Sequence, residues 1–180
     1  MRALWAIATA VTMNVEVPLD AAAWQVINDG VMGGISSSAV RSVGAGGLRF
    51  EGRLSLDYGG GFASARRSFS LPGEVAVPSV SAFALRVRGD GRQYRLTVFM
   101  RDPRTGEREP YHYQGAFKTS GDEQEIVLPL ADFVARFRGR PVDAPLLDPQ
   151  RIIAIGLQIS DRQAGPFVLD VRSIALVTPR

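Results

Sequence analysis

The residues best suited to chemistry lie between Trp24 and Ser38, in the run Trp-Gln-Val-Ile-Asn-Asp-Gly-Val-Met-Gly-Gly-Ile-Ser-Ser-Ser. Asn-Asp-Gly and Gly-Gly both favour positive φ, so the pattern predicts two turns on either side of Val31 and Met32. A loop of this kind either buries Met32 in the core as a plug or offers backbone amides and Asp29 to a ligand. We expect the plug for Met32 and an internal hydrogen-bonding role for Asp29.

A second glycine cluster, Gly59–Gly61, runs directly into Phe62. It is not a phosphate-binding loop, because neither Gly-Lys-Ser/Thr nor a helical pattern follows it. The cluster predicts close backbone packing beside the first loop. The structural residues of the two loops are therefore expected to be Trp24, Met32, Gly33, Gly34, Gly60, Gly61 and Phe62.

Arg66 follows the second cluster and alternates with Phe62 and Ser64. If Phe62 points into the core, Arg66 does so too, and a buried guanidinium needs a carboxylate. Asp29 and Asp90 are the first candidates. An internal ion pair that joins two loops is the preferred hypothesis, and an arginine that grips a ligand is the alternative.

Catalytic, metal and cofactor sites have little support in the composition. The chain has no cysteine and one histidine, which excludes disulfides, thiolate sites and polyhistidine metal sites. That histidine, His112, lies in a predicted strand and is expected to be a facing side chain rather than a base. We therefore predict no enzyme activity, no metal and no cofactor, although a pair of carboxylates elsewhere in the chain is not excluded.

The length of 180 residues and the hydrophobic fraction of 46% predict one globular domain. Residues 1–23 are expected to be an N-terminal strand or a weak signal segment, and residues 24–178 a single domain. The net charge of +3 comes from arginines scattered among acids, which argues against nucleic-acid binding. We expect a cytoplasmic bacterial protein, or a periplasmic or secreted one if residues 1–13 are a signal peptide.

Short alternating segments dominate from Ser36 onward. In Ala82–Gly89 and Arg92–Arg101, apolar residues alternate with arginines and other residues, which is typical of strands with one face in water. Gly89-Asp90-Gly91 between them predicts a tight antiparallel hairpin. Further strands are expected at 47–56, 62–69, 111–118, 124–130, 152–160 and 166–177.

The strand pattern predicts an all-β fold, an antiparallel β-sandwich or jelly roll. The only helical periodicity covers Leu130–Phe137, where apolar residues recur at offsets of three and four. We expect one short cover helix there.

The ordered motifs resemble the complex I intermediate-associated protein 30 family. Trp24 is followed by the motif at residues 28–36, and Arg66 follows the motif at residues 60–64. The other motifs lie at residues 50–52, 88–94, 128–130, 137–139, 155–157 and 165–167. The resemblance covers about residues 24–174 and implies a galactose-binding-domain-like β-sandwich. It also implies a role like that of the mitochondrial members, which are assembly chaperones that hold a membrane-arm intermediate of respiratory complex I.

Two functions follow as hypotheses. The first is a non-catalytic assembly module whose partner is a protein, such as complex I subunits or an assembly intermediate. It would present an apolar patch with a rim of Arg86, Arg88, Arg95 and Arg101. The alternative is a small-ligand or carbohydrate module, with Trp24 or Tyr58 as the aromatic platform. The candidate binding residues are Asp29, Arg66, Asp90, Arg92 and Tyr94.

Overall fold

A computed structural model describes residues 14–73 and 80–177. Within these ranges the chain forms thirteen strands: β1 (Val15–Glu16), β2 (Gln25–Asn28), β3 (Ser37–Val43), β4 (Gly47–Leu54), β5 (Ala63–Ser68), β6 (Ala82–Gly89), β7 (Gln93–Met100), β8 (His112–Lys118), β9 (Glu123–Pro129), β10 (Val134–Phe137), β11 (Arg140–Pro141), β12 (Ile152–Ile159) and β13 (Gly165–Val177). The helical elements among the described residues are single 3₁₀ turns: Ala21–Ala23, Asp29–Met32, Asp57–Gly59, Leu130–Asp132 and Pro149–Arg151.

The strands form two sheets whose described pairings are all antiparallel. One sheet has six strands, in the order β3-β4-β13-β6-β9 with β1 paired to β13, and the other has seven, in the order β11-β10-β8-β7-β12-β5-β2. The predicted antiparallel sandwich is therefore confirmed.

Alternation along each strand places one set of side chains between the sheets. Phe50, Leu85 and Leu169 of the six-stranded sheet are fully buried, as are Leu96 and Ile155 of the seven-stranded sheet. Trp24 is also in the core, so it is not an exposed aromatic platform for a ligand. Removing each of these large side chains from water contributes about 1.5–3 kcal/mol, so the inner faces hold the sheets together.

The predicted hairpin at Gly89-Asp90-Gly91 is wrong. Strand β6 pairs with β9 and β13, whereas β7 pairs with β8 and β12, so the turn carries the chain from one sheet to the other. Two alternating segments joined by a tight turn have the same sequence pattern whether the strands pair with each other or belong to different sheets. Arg86 and Arg88 consequently lie on the six-stranded sheet and Arg95 and Arg101 in or beside the seven-stranded one, so the four do not form one rim.

The predicted cover helix over Leu130–Phe137 is also wrong. One 3₁₀ turn is followed by strand β10, which pairs with β8. Phe133 is buried, and the centre of its ring lies 5.7 Å from the centre of the Phe83 ring. It fills the space that Gly115 leaves open, since a Cβ there would lie 2.7 Å from the Phe133 ring. The packing of Phe133 and the hydrogen bonds of β10 to the edge of β8 favour a strand over the helix that the weak sequence period predicts.

The possible signal segment, residues 1–13, lies outside the described residues. Directly after it, β1 pairs with β13 through Val15 and Glu16. Among the described residues, no helix has the length and apolar character needed to cross a membrane.

Candidate functional site

Asp29 is the centre of one end of the sandwich. Its side chain is fully buried, and one oxygen accepts the Ser36 N–H at 2.9 Å while the other accepts the Gly61 N–H at 2.8 Å and the Phe62 N–H at 3.3 Å. The Ser36 hydroxyl donates to the second oxygen at 2.5 Å. One carboxylate therefore ties the β2–β3 connection to the β4–β5 connection, in the internal role that the sequence predicts.

These hydrogen bonds also keep Asp29 charged. Burial alone would raise its pKa, but the donors from Ser36, Gly61 and Phe62 outweigh burial and hold the pKa below its ordinary value.

The glycines around Asp29 leave space for its side chain. A Cβ on Gly34 would lie 2.4 Å from the Asp29 carboxyl carbon, and one on Gly60 would lie 2.8 Å from its Oδ2. The glycines let two backbones approach the same carboxylate.

Met32 is not a core plug, and that prediction is wrong. Its side chain is 64% exposed, at the end of the 3₁₀ turn Asp29–Met32. Gly33 ends this turn in the left-handed conformation, with φ of 92°. The Asp29 carboxylate occupies the space beneath the loop, so the apolar side chains of the loop point into solvent.

A second loop adds to this exposed surface. Tyr58 is 78% exposed and has a left-handed backbone, with φ of 53°. Its carbonyl oxygen would lie 4.0 Å from a Cβ on Gly33, so the two loops are neighbours. We call the exposed apolar residues of these loops the apolar loop pair: Val31, Met32, Ile35, Leu56 and Tyr58.

Arg66 does not pair with Asp29 or Asp90, which corrects the predicted ion pair. Ala63 and Ala65 are the core-facing residues of β5, so Arg66 lies on the outer face. Its guanidinium carbon is 4.8 Å from the centre of the Phe99 ring. The expected direction is wrong because Phe62 does not set the inward face of the strand. The strand begins with the buried Ala63, so Arg66, three residues later, points outward.

Asp90, Arg92 and Tyr94 form a second internal network at the same end. The buried Tyr94 hydroxyl donates to Asp90 Oδ1 at 3.0 Å, and Asp90 Oδ2 accepts the Val168 N–H at 2.9 Å. Arg92 makes two hydrogen bonds with Asp161, at 2.9 and 2.7 Å, and that carboxylate is only 3% exposed.

Within this network, the Arg92–Asp161 pair is balanced in charge. Burial would raise the pKa of Asp161, but the hydrogen bond from Arg92 and that from the backbone of Gln163 hold it below its ordinary value. The Asp161 hydrogen bond raises the pKa of Arg92. Burial and the nearby Asp90 raise the pKa of Tyr94. Each of these groups holds loops together within the fold. The five candidate binding residues do not line one cleft, because Arg66 lies on the outer face of the seven-stranded sheet whereas Asp29 is fully buried.

An open groove of about 620 Å³ lies next to Asp90, on the outer side of the six-stranded sheet. Its lining residues are Ser37, Ser38, Ala39, Arg41, Glu51, Gly52, Asp90, Pro166, Phe167 and Val168. Phe167 is buried, so this groove has no exposed aromatic ring. Within residues 14–73 and 80–177, no three His, Asp or Glu side chains cluster as metal ligands do.

The two sheets and their loop end define a β-sandwich module, with no regular helix in residues 14–73 and 80–177. The family model described as Complex I intermediate-associated protein 30 matches residues 13–171. The chain belongs to this family.

A curated relative is the mitochondrial Complex I intermediate-associated protein 30 of Mus musculus, 34% identical over 98 residues. The match covers 52% of this chain and 29% of the relative. The match therefore spans well under half the length of the curated relative.

Two solved structures show the same fold at low sequence identity. A family 11 carbohydrate-binding module from Clostridium thermocellum, in complex with a β-1,3-1,4-mixed-linked tetrasaccharide, has a TM-score of 0.66 at 16% identity, covering 91% of this chain and 95% of the module. A family 30 module of a Clostridium thermocellum cellulosomal cellulase has a TM-score of 0.56 at 12% identity, covering 91% and 96%.

The sequence identified the loops but not what they display. Val31, Ile35 and Leu56 have the composition of core residues, and nothing in a periodic pattern separates them from buried ones. The sequence signal that marks Val31 and Ile35, as it does Met32, is a neighbouring glycine of the Asn-Asp-Gly and Gly-Gly turns, whereas Leu56 has no such neighbour.

Proposed function

We propose that this chain is a non-catalytic protein-binding domain whose partner is an assembly intermediate of respiratory complex I. The observation that carries the proposal is the exposure of the apolar loop pair. Val31, Met32 and Tyr58 are between 64% and 78% exposed on a loop end that is otherwise tightly hydrogen-bonded. Contiguous exposed apolar surface of this kind is typical of protein interaction sites.

The chemistry of the loop pair suits a protein partner. Tyrosine and methionine provide a large contact area, and tyrosine is among the residues enriched at the centre of interfaces. The Asp29 hydrogen bonds fix both loops before binding. Less conformational entropy is then lost when a partner covers them. The relative's name, an intermediate-associated protein of complex I, supports the identity of the partner.

Affinity purification from membranes of the source organism tests this proposal. We expect the wild-type chain to recover complex I subunits, and the double variant Met32→Ser, Tyr58→Ser to recover at least tenfold less, because both side chains would lose their buried contacts with the partner. Leu146→Ser is the matched control, since Leu146 is equally exposed but outside the loop pair. Recovery that is equal in the loop variant and the control would contradict the proposal, as would a wild-type chain that recovers no complex I subunit.

A carbohydrate-binding role is the second candidate, and the observation that favours it is the exposed ring of Tyr58 next to Asp57. The same β-1,3-1,4-linked tetrasaccharide that is bound to the family 11 module is a direct probe. We expect no heat of binding by calorimetry, because Val31 and Met32, the exposed side chains of the neighbouring loop, offer no hydrogen bonds to a sugar. Binding that Tyr58→Ser abolishes would favour the carbohydrate role instead.

A further inference from the structure

The outer face of the seven-stranded sheet carries cations without acids. The strand register places its outward residues in three rows across the sheet. The rows are Ile27, Ser64, Gln158, Arg95 and Ala116; Gln25, Arg66, Gly156, Thr97, Gln114 and Val134; and Ser68, Ala154 and Phe99 with His112 and Arg136. None of these residues is an aspartate or a glutamate.

A fourth arginine reaches this face from the connection between β7 and β8. The guanidinium carbon of Arg108 lies 5.6 Å from the centre of the Phe99 ring, beside that of Arg66 at 4.8 Å. We call Arg66, Arg95, Arg108 and Arg136 the arginine face. Phe99 and the ring of His112 are also stacked, with centroids 5.2 Å apart.

The four guanidinium groups lack carboxylate partners. Among the described residues, none of them has a carboxylate oxygen within 4.0 Å, whereas Arg41, Arg49, Arg86, Arg92, Arg151 and Arg172 all do. Burial and the neighbouring Arg108 lower the pKa of Arg66, and burial and Arg136 lower that of Arg95, although Asp161 partly offsets the effect on Arg95. Arg95 donates hydrogen bonds to Ser160, and Arg136 donates one to the Gly139 carbonyl oxygen. Among the described residues, the guanidinium groups of the partly buried Arg66 and the exposed Arg108 have no hydrogen-bond acceptor, and both lie over the Phe99 ring.

Space for a ligand lies next to these charges. A cavity of about 410 Å³ is lined by Ala23, Gln25, Arg66, Arg67, Ser68, Arg108, Ile153 and Ala154. The small side chain of Ala154 leaves room on β12 between Arg66 and Phe99. Gly156, two residues further along β12, packs closely instead, since a Cβ there would lie 2.6 Å from the Thr97 hydroxyl. A volume of this size suits a small molecule.

We propose that this cavity binds a dianionic oxyanion of the phosphate-monoester class, held by the guanidinium groups of Arg66 and Arg108. Two positive charges match a dianion, and a guanidinium donates two parallel hydrogen bonds to a phosphate. The third arginine of the lining, Arg67, already donates to the carbonyl oxygens of Pro18 and Ser68. Gln25 and Ser68 supply further polar groups in the cavity wall. The site lies on the outer face of a sheet, apart from the apolar loop pair, and does not depend on the proposed protein partner.

Titration of the full chain with glycerol phosphate at pH 7.5, at constant ionic strength in chloride, tests the site. We expect saturable shifts of the backbone amides of Thr97 and Gly156 and of the His112 ring in NMR spectra. The variant Arg66→Gln, Arg108→Gln is expected to weaken binding at least tenfold. Arg41→Gln, Arg86→Gln is the matched control, because it removes two arginines that are paired with acids on the other sheet. Cooperative thermal unfolding of both variants establishes that they fold.

Two further measurements separate the sources of the phosphate and the effect of salt. Vesicles of phosphatidylcholine with phosphatidic acid replace the soluble ester in a sedimentation assay. Binding to vesicles alone, lost in the Arg66/Arg108 variant, would assign the phosphate to a lipid headgroup at the same site. The proposal is overturned if neither the ester nor the vesicles bind above chloride, or if the Arg66/Arg108 variant binds as well as the control.

Discussion

The loop end and the arginine face both withdraw charge from water, but they do so with opposite results. At the loop end, Asp29 receives hydrogen bonds from Ser36, Gly61 and Phe62, and Asp161 pairs with Arg92. On the arginine face, Arg66 and Arg108 share a cavity with no acid in its lining. Charge that the fold satisfies stabilises the fold, whereas charge that the fold leaves unsatisfied is available to something outside it.

The largest effect is expected when the centre of the loop end is removed. Asp29→Ala leaves the N–H groups of Ser36, Gly61 and Phe62 without their acceptor in a buried position. Each unsatisfied buried donor costs about 1–3 kcal/mol, so we expect a loss of about 4 kcal/mol in the free energy of unfolding. Urea denaturation followed by tryptophan fluorescence measures it. A loss below 1 kcal/mol would mean that the carboxylate does not hold the loops.

Arg92→Met is expected to have the next largest effect. It leaves the Asp161 carboxylate, which is 3% exposed, without its guanidinium partner. Breaking a buried pair on one side costs about 3 kcal/mol, because the remaining charge stays buried. The double variant Arg92→Met, Asp161→Leu is the control and should recover part of the loss. Equal stability of the single and double variants in urea would contradict a buried, satisfied pair.

On the arginine face, the comparison predicts an acid-sensitive histidine. Burial and the charges of Arg108, Arg136 and Arg66 lower the pKa of His112 to about 4, from 6.5 in the unfolded chain. Gln114 donates an amide hydrogen to its ring in the neutral form. Between these two pH values the unfolded state binds the proton and the folded state does not, so stability falls as the pH falls from about 6.5 to about 4.

The size of this effect is up to about 3 kcal/mol over the whole window, at 1.36 kcal/mol per pKa unit. Urea unfolding between pH 7 and pH 4.5 measures it, and His112→Gln should remove that part of the pH dependence. His112 is the single histidine of the chain, so its NMR titration is unambiguous. A ring that titrates near 6.5 would show that the arginine face is not a region of strong positive potential.

Most of the fold was predictable from the sequence, because alternation along β6 and β12 reports directly which face is buried. Which strands pair was not, since the turn after Gly89 has the same composition whether it joins neighbouring strands or crosses between sheets. The site was less predictable. Asp29 was identified from its glycine-rich turns, but the direction of Arg66 depends on where β5 begins, and a shift of one residue reverses the face. Met32 lies in a 3₁₀ turn, where no sequence period reports which way a side chain points.

The smallest effect on stability is expected for the arginine face itself. Arg66→Gln, Arg108→Gln removes two like charges that have no carboxylate within 4.0 Å among the described residues, so the free energy of unfolding should stay unchanged or rise by up to about 1 kcal/mol at low salt. The paired control Arg41→Gln, Arg86→Gln loses two exposed ion pairs and should instead fall by about 0–1 kcal/mol. Salt should narrow the difference, because it screens the repulsion on one sheet and the attraction on the other. A marked loss of stability in the Arg66/Arg108 variant would mean that these guanidinium groups serve the fold, and the contrast between the two regions would fail.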